Sequence, residues 1–283
     1  MGLGDDLMIT ALAKKVKLKY PDRQIVIGDF KRKLVLHSII YDNNPNITHQ
    51  LKIDNTKPIH YIDYHTLNRP YVDHSKSTSD NWVWNFNFKP VPGEIYFTNE
   101  EKNNADEIII KAKDLWGKKN KKDYKGILFL ESSSSKINNK QFHLKHLNKD
   151  WSFKNWSKLN DILSDEYLVI QSIHNESIKL DNAYYCECDF RLSSAVINCV
   201  DLYVGPEGGF GHVAAALNKK AVIYFGGWIH PDITGYDFHK NVYVDLDGSP
   251  CGSMSYKCSH CIKCRETITP VFMYDLILKE LHK

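Results

Sequence analysis

The first apolar pattern lies at Leu7, Ile9, Leu12, Val16 and Leu18, a helical stripe that predicts a helix over Leu7 to Tyr20. Asp5 and Asp6 stand at its start and Pro21-Asp22 stops it. Gln24-Ile-Val-Ile-Gly28 then reads as a short buried strand, with a further strand and loop within Leu34 to Ile53 and another strand at His60-Tyr-Ile-Asp63. Residues 68–92 mix polar and aromatic side chains without a period and read as irregular, a candidate acceptor-binding loop. Thr98-Asn-Glu-Glu101 is a capping-box pattern that opens a helix running to about Trp116. The lysine-rich stretch Gly117 to Lys125 reads as an exposed linker, so the domain boundary is expected at 120/121.

The second half alternates more regularly. Strands are predicted at Gly126–Leu130, Tyr167–Ile170, Leu202–Val204 and Ala221–Phe225, with helices at Phe153–Leu163 and Arg191–Cys199. Alternation of this kind predicts an α/β fold whose parallel sheet is covered on both faces. Ligands of such sheets bind at the carboxyl ends of the strands.

At that end of the Leu202 strand stands Gly205-Pro-Glu-Gly-Gly-Phe-Gly211, which opens directly into His212-Val-Ala-Ala-Ala-Leu217. A glycine turn between strand and helix exposes the free amides and positive dipole end of the helix start, which suit a phosphate. Glu207, within the turn, suits sugar hydroxyls. The residues alone leave a second reading open: a tight strand–helix junction where the glycines only relieve crowding.

Composition narrows the picture. A chain of 283 residues with 42% hydrophobic and 12% aromatic positions can bury one large core or two ordinary ones. The net charge of +3 argues neither for nor against a nucleic-acid partner; the basic residues are dispersed, with a modest cluster at Lys118–Lys122 and no long basic block, and no nucleic-acid partner is expected. No apolar run approaches the ~20 residues that span a bilayer. The N-terminus lacks the basic and apolar regions of a secretory signal, so a cytoplasmic protein with at most peripheral membrane contact is expected. In that compartment the 7 cysteines are expected to be reduced or metal-bound rather than in disulfides.

Cys251, Cys258, Cys261 and Cys264 are spaced closely enough to close a tetrahedral shell around zinc or iron, and His260 lies among them. Plain reduced thiols are the other reading. Cys186, Cys188 and Cys199 read as strand and helix core positions.

Four segments in order resemble glycosyltransferase family nine, the heptosyltransferases. They are Gly2-Leu-Gly-Asp-Asp-Leu-Met-Ile-Thr-Ala-Leu12 with Lys19-Tyr-Pro-Asp22, then Ile95-Tyr-Phe-Thr-Asn-Glu-Glu101. The others are Lys149-Asp-Trp-Ser-Phe-Lys-Asn-Trp156, in which Ser152 replaces a proline, and Asp201 to Leu217. The resemblance implies two facing Rossmann-like domains of the GT-B type with a cleft between them: residues 1–120 for the acceptor and 121–283 for the nucleotide sugar. Family members begin with a strand before the Gly-Asp turn. Here the chain starts at the turn, so either the N-terminal domain lacks that strand, as is expected here, or the chain is truncated.

The resemblance also implies an inverting glycosyltransferase that needs no metal for its chemistry, with a donor of the ADP-heptose kind and a glycan or protein acceptor. Asp5 aligns with the general base, although the residues alone allow that Asp5 or Asp6 merely caps the helix. Lys149 aligns with a lysine on the donor phosphates, against the ordinary fate of a surface lysine. Glu207 aligns with a donor-binding aspartate one methylene shorter, and Gly208 replaces a Ser or Thr. Gly208, Gly209 and Gly211 offer backbone to the diphosphate. His212 is either a phosphate or sugar contact or structural. A subset acting on autotransporter proteins carries a cysteine-bound iron finger, which the cysteine cluster resembles. The rival readings are a non-catalytic nucleotide-sugar-binding protein and a nucleotide-sugar epimerase.

Overall fold

Helix α1 (Leu3–Lys19) begins four residues before the predicted stripe, which puts Asp5 and Asp6 inside its first turn. A computed structural model describes residues 2–63, 69–132, 148–174, 177–254 and 258–283. Asp5 Oδ2 accepts the Gly2 amide at 3.2 Å, and acidic first-turn and basic last-turn residues match the helix dipole. The buried face carries Asp5, Asp6, Leu7, Ile9, Thr10 and Ala13, whereas Leu12 and Leu18 face solvent. The stripe is therefore narrower than the sequence pattern, and it carries two carboxylates that need partners.

Strand β1 (Gln24–Asp29) pairs in parallel with β3 (Ile59–Asp63) and antiparallel with the short β2 (Leu34–Val35), giving the order β2-β1-β3. Residues 69–92 form no regular strand, only the bridges Val72–Trp84 and Asn81–Ser253. Helix α2 (Asn99–Asn120) starts at the predicted capping box: Thr98 Oγ1 accepts Glu101 N at 3.1 Å and Glu101 Oε2 accepts Thr98 N at 2.7 Å. It continues through Gly117, correcting the linker reading of that part. Buried Trp116 anchors the last turns, and the Asp114–Lys118 pair adds i,i+4 support on the exposed side.

The second sheet contains β4 (Ile127–Leu130), β5 (Leu168–Ile173), β6 (Tyr184–Glu187), β7 (Leu202–Pro206), β8 (Ala221–Gly226) and β9 (Lys240–Tyr243). Its order is β6-β5-β4-β7-β8-β9, parallel throughout. This is the dinucleotide-binding order, whose reversal point falls between β4 and β7. Its helices are α3 (Phe153–Leu163), α4 (Phe190–Asn198), α5 (Gly209–Ala216), α6 (Pro231–Thr234), α7 (Ser259–Thr267) and α8 (Pro270–Leu281). Strands β4 and β8 are buried along their whole length because both faces are covered.

On one face Trp151, Trp156, Leu159, Tyr224, Met273 and Ile277 pack between the sheet, α3 and α8. On the other, a single apolar cluster runs from Leu7, Ile25 and Ile27 through Ala105 and Ile109 to Phe129, Tyr203 and Val213. The first sheet, α1 and α2 thus share a continuous core with the second sheet, and α2 packs chiefly on α4.

Arg191 of α4 fastens that junction. Its guanidinium donates to Glu101 at 2.5 and 2.8 Å, to the Ile39 carbonyl at 2.8 Å and to the Tyr96 carbonyl at 2.7 Å. Only 7% of the residue is exposed.

The expectation of no disulfides is corrected at one place. Cys186 and Cys188 are bonded at the end of β6, their Cα atoms 5.4 Å apart, within the ordinary reach of such a bridge. Cys199 is half-buried at the end of α4 with its thiol 3.6 Å from Asp106.

Candidate functional site

The glycine turn lies where the sheet order reverses. Strand β7 ends at Pro206, the Glu207 amide still bonds Tyr224 at 2.8 Å, and α5 starts at Gly209. Its residue His212 donates its amide to Gly208 O at 3.3 Å. The amides of residues 208–211 come ahead of that bond, the orphan donors that every helix start presents. Small residues are needed here for a spatial reason. A Cβ on Gly4 would stand 2.9 Å from His212 Cδ2 and 3.2 Å from Gly209 Cα, so the starts of α1 and α5 touch.

That contact brings the start of α1, which carries Asp5, against the glycine turn. Its Oδ1 accepts the Tyr71 hydroxyl at 2.6 Å, and its Oδ2 accepts Arg69 Nε and Nη2, each at 3.3 Å. Burial alone pushes the Asp5 carboxyl up. The Arg69 charge and the Tyr71 hydrogen bond outweigh it and hold the group below the usual carboxylate range. Asp6 points the other way, accepting Ser38 Oγ at 2.7 Å and Tyr41 Oη at 3.3 Å, and burial raises its pKa. The two adjacent carboxylates are thereby distinguished: Asp5 faces Arg69 and Tyr71, and Asp6 faces Ser38 and Tyr41.

Lys149, from the segment after β4, spans the reversal point. Its Nζ lies 2.5 Å from Glu207 Oε2 and 4.8 Å from the centre of the Trp228 ring. Burial pushes the Glu207 carboxyl up, but the Lys149 ammonium against it leads the effects that keep it low. His212 Nδ1 meets Tyr236 Oη at 2.8 Å, and burial lowers its pKa, so the ring is neutral at pH 7. A neutral, buried, hydrogen-bonded imidazole positions its neighbours rather than supplying charge.

Several site residues had no signal in the sequence. Arg69 and Tyr71 come from the aperiodic stretch; so do Trp82 and Trp84, which pack with Trp228 and carry the stretch to Lys149. Glu131, the residue after β4, accepts the Tyr203 hydroxyl at 2.5 Å, and burial pushes its carboxyl up to about 7. The polar run 133–135 that follows it lies outside the described residues.

The cysteine loop brings together Cys251, Cys258, His260 and Cys261, with one potential ligand atom from each within 4.8 Å of all the others. Three thiols and an imidazole suit tetrahedral zinc, and the soft donors also suit iron. Cys264, expected as the fourth ligand, is not in this group. Its Sγ lies 3.6 Å from His260 Nε2, and it packs into the core at 1% exposure. Cys258 caps α7 and Cys264 stands six residues further along that helix, with its thiol against His260.

No protein-family model matches the chain, and no curated protein matches it. Solved structures do. Over 99% of this chain and 95% of the other, the fold matches a glycosyl transferase of family 9 from Veillonella parvula DSM 2008, with TM-score 0.62 and 13% identity. Over 100% of this chain and 74% of the other it matches the iron-containing dodecameric glycosyltransferase TibC from enterotoxigenic E. coli H10407, with TM-score 0.57 and 12% identity. At these identities the likeness is one of fold. The mixed α/β architecture with its parallel sheet is that of family 9 glycosyltransferases. No helix among the described residues is long and apolar enough to cross a membrane.

Proposed function

We propose that this chain, which shares the fold of family 9 glycosyltransferases, is an inverting glycosyltransferase that moves a sugar from a nucleoside diphosphate to a hydroxyl of a glycan or protein. The observation that carries the reading is the contact between Gly4 and the Gly209–His212 turn, because it sets a carboxylate against a ready phosphate site. The donor's diphosphate lies on the amides of Gly208, Gly209 and Gly211, with Lys149 neutralising the charge that builds on it. Glu207 orients the sugar, and His212, held by Tyr236, keeps the turn in place. The acceptor binds beside Arg69, Tyr71 and Trp82. In this reading residues 1–120 serve the acceptor and 121–283 the donor.

The acceptor oxygen attacks the anomeric carbon from the face opposite the diphosphate. A new carbon–oxygen bond forms as the bond to the phosphate oxygen breaks, and its electrons leave with the nucleotide. The hydroxyl proton passes to Asp5. Because inversion occurs in a single displacement, no covalent enzyme intermediate is required, and Lys149 with the helix-start amides supplies the stabilisation of the leaving diphosphate. An ADP-heptose donor, a surface-glycan acceptor and a cytoplasmic location belong to the same proposal, whose TibC relative in fold is itself a glycosyltransferase.

Calorimetry with ADP tests the donor half. Micromolar binding is expected, and Lys149→Met should weaken it by about 10–100-fold, since Lys149 is only 26% exposed and its removal also leaves Glu207 unpaired. Undetectable binding of ADP, and of GDP and UDP in parallel, would sink the reading.

The cysteine group is proposed as a structural zinc or iron site held by Cys251, Cys258, His260 and Cys261, remote from the transfer chemistry. Elemental analysis is expected to give about one metal per chain. Cys258→Ser should lose it and Cys264→Ser should keep it. Equal loss in both variants would restore Cys264 as a ligand.

A further inference from the structure

A second group of metal-ligating side chains shares no residue with the cysteine loop or with the proposed transfer site. One potential ligand atom each from His37, Asp42 and His49 lies within 4.8 Å of the others. All three come from the chain between β2 and β3. His37 is exposed, and Asp42 and His49 are half-buried. The two imidazoles meet edge to face, with ring centres 5.0 Å apart.

The backbone brings these residues together. Strand β1 accepts the Leu36 amide at its Ile27 carbonyl, 2.8 Å away, and the Thr48 amide at its Ile25 carbonyl, 2.7 Å away. His37 and His49 each follow one of these anchored residues, so the two ends of a loop are held side by side along one strand edge. Asp42 follows the short 3₁₀ turn Ile39–Tyr41, in which Ile40 and Tyr41 are buried. Ser38 Oγ and Tyr41 Oη both donate to Asp6, at 2.7 and 3.3 Å, and Arg191 holds the Ile39 carbonyl at 2.8 Å. Each candidate ligand thus stands beside a pinned residue. Among the described residues the side chains of His37 and Asp42 have no hydrogen-bond or ion-pair partner. His49 Nδ1 accepts the Leu51 amide at 3.2 Å.

The donor set selects the ion. Imidazole suits zinc, nickel, copper and iron, whereas magnesium and calcium favour all-oxygen sets. Ligand atoms ~2.1 Å from a tetrahedral ion lie ~3.4 Å apart, so rotation of the exposed His37 ring and of the Asp42 carboxylate closes the set. Three protein ligands leave a fourth position to water. Coordination through one His49 nitrogen keeps a proton on the other, so the Leu51 amide gives up its acceptor. Leu51 is 84% exposed, and water takes over that bond.

We infer that His37, Asp42 and His49 bind one divalent transition metal, which ties the loop after β2 to the edge of β1. This ion is distinct from the one proposed at the cysteines, and the inference does not depend on the glycosyltransferase reading. The same loop carries Ser38 and Ile39, the partners of Asp6 and Arg191, so occupancy braces the contact between the first sheet and α4.

Zinc calorimetry on the full chain, with cobalt(II) absorption alongside, tests this. The parent is expected to take up one zinc per chain independently of the cysteines, and zinc should raise its melting temperature. Cobalt at this site should give weak ligand-field bands without the intense thiolate charge-transfer band of a cysteine site. His37→Gln, His49→Gln and Asp42→Asn should each weaken this zinc by about 100-fold, the upper end of what loss of even an outer-shell partner costs. Magnesium in excess should not compete. His37→Gln alters an exposed side chain, so its melting temperature in EDTA should match that of the parent. Absence of any ion beyond the cysteine group in the parent, or unchanged uptake in His37→Gln, would overturn the inference. So would full affinity in Asp42→Asn beside a loss in His37→Gln, which would reduce the site to two surface histidines. A thiolate band from every cobalt bound would assign all the metal to the cysteines and overturn it as well.

Discussion

Replacing Asp5 by asparagine is expected to lower transfer by about 10²–10⁴-fold, the usual contribution of a positioned general base. Asparagine keeps the size of the side chain; its one oxygen can replace Oδ2 toward Gly2 and Arg69, and its amide group can donate to the Tyr71 hydroxyl oxygen, so loss of charge is the main change. ADP affinity should stay within a few-fold, because the proposed diphosphate site is the start of α5 rather than α1. The pH profile gives a second readout. The Asp5 pKa lies below its ordinary 3.8, so the carboxylate is present at all higher pH values, and the acid limb of kcat/KM belongs below about pH 4. A limb near pH 6 would point instead to another group, such as Glu131, whose carboxyl is pushed up to about 7. The stability sign runs the same way: a depressed folded pKa contributes above the unfolded value and is lost as pH falls through the folded one. Full turnover by a folded Asp5→Asn protein would remove Asp5 from the mechanism. Asp6 would not be the substitute, since Ser38 and Tyr41 hold it away from the turn.

The second large effect is on stability. Arg191→Ala is expected to lower the free energy of unfolding by about 3–5 kcal/mol, as when one partner of a buried ion pair is removed. It leaves Glu101 without its cation and leaves the Ile39 and Tyr96 carbonyls without their donor. By calorimetry the melting temperature should fall by roughly 5–15 °C. Arg191→Lys should recover little, because an ammonium cannot reproduce a planar fork that serves a carboxylate and two carbonyls at once. The Arg191 hydrogen bond, opposed by partial burial, holds the Glu101 pKa below its ordinary 4.5. The pair's contribution is therefore present above that value and is lost as pH falls through the lowered one, so the variant and parent should converge in acid. An unchanged melting temperature would mean that the junction between α2 and α4 rests on apolar packing alone.

The parts of the fold legible in the sequence are those whose signal is local. The capping box at Thr98, the helix Phe153–Leu163 and the strands around Val169, Tyr203 and Ile223 are where their patterns put them. Strands β6 and β9 escaped because each is short, half-buried and at a sheet edge, so neither carries a continuous apolar run. The stretch 117–120 was misjudged because lysines on a helix surface look like lysines in a loop. Only the burial of Trp116 distinguishes them. At the cysteines, spacing gave the group but not its members, since His260 and Cys264 stand on one helix and only coordinates say which reaches the others.

Sequence alone determined the α/β alternation, the glycine turn after β7 and the acidic start of α1, because a period of apolar residues or a missing Cβ acts within a few bonds of itself. Only the tertiary structure decided that Asp5 meets Arg69 and Tyr71, that Lys149 meets Glu207 and that α1 rests on Gly209. Those partners lie tens to hundreds of residues apart along the chain. Their meeting depends on the sheet order and on the shared apolar core, and no local pattern records either.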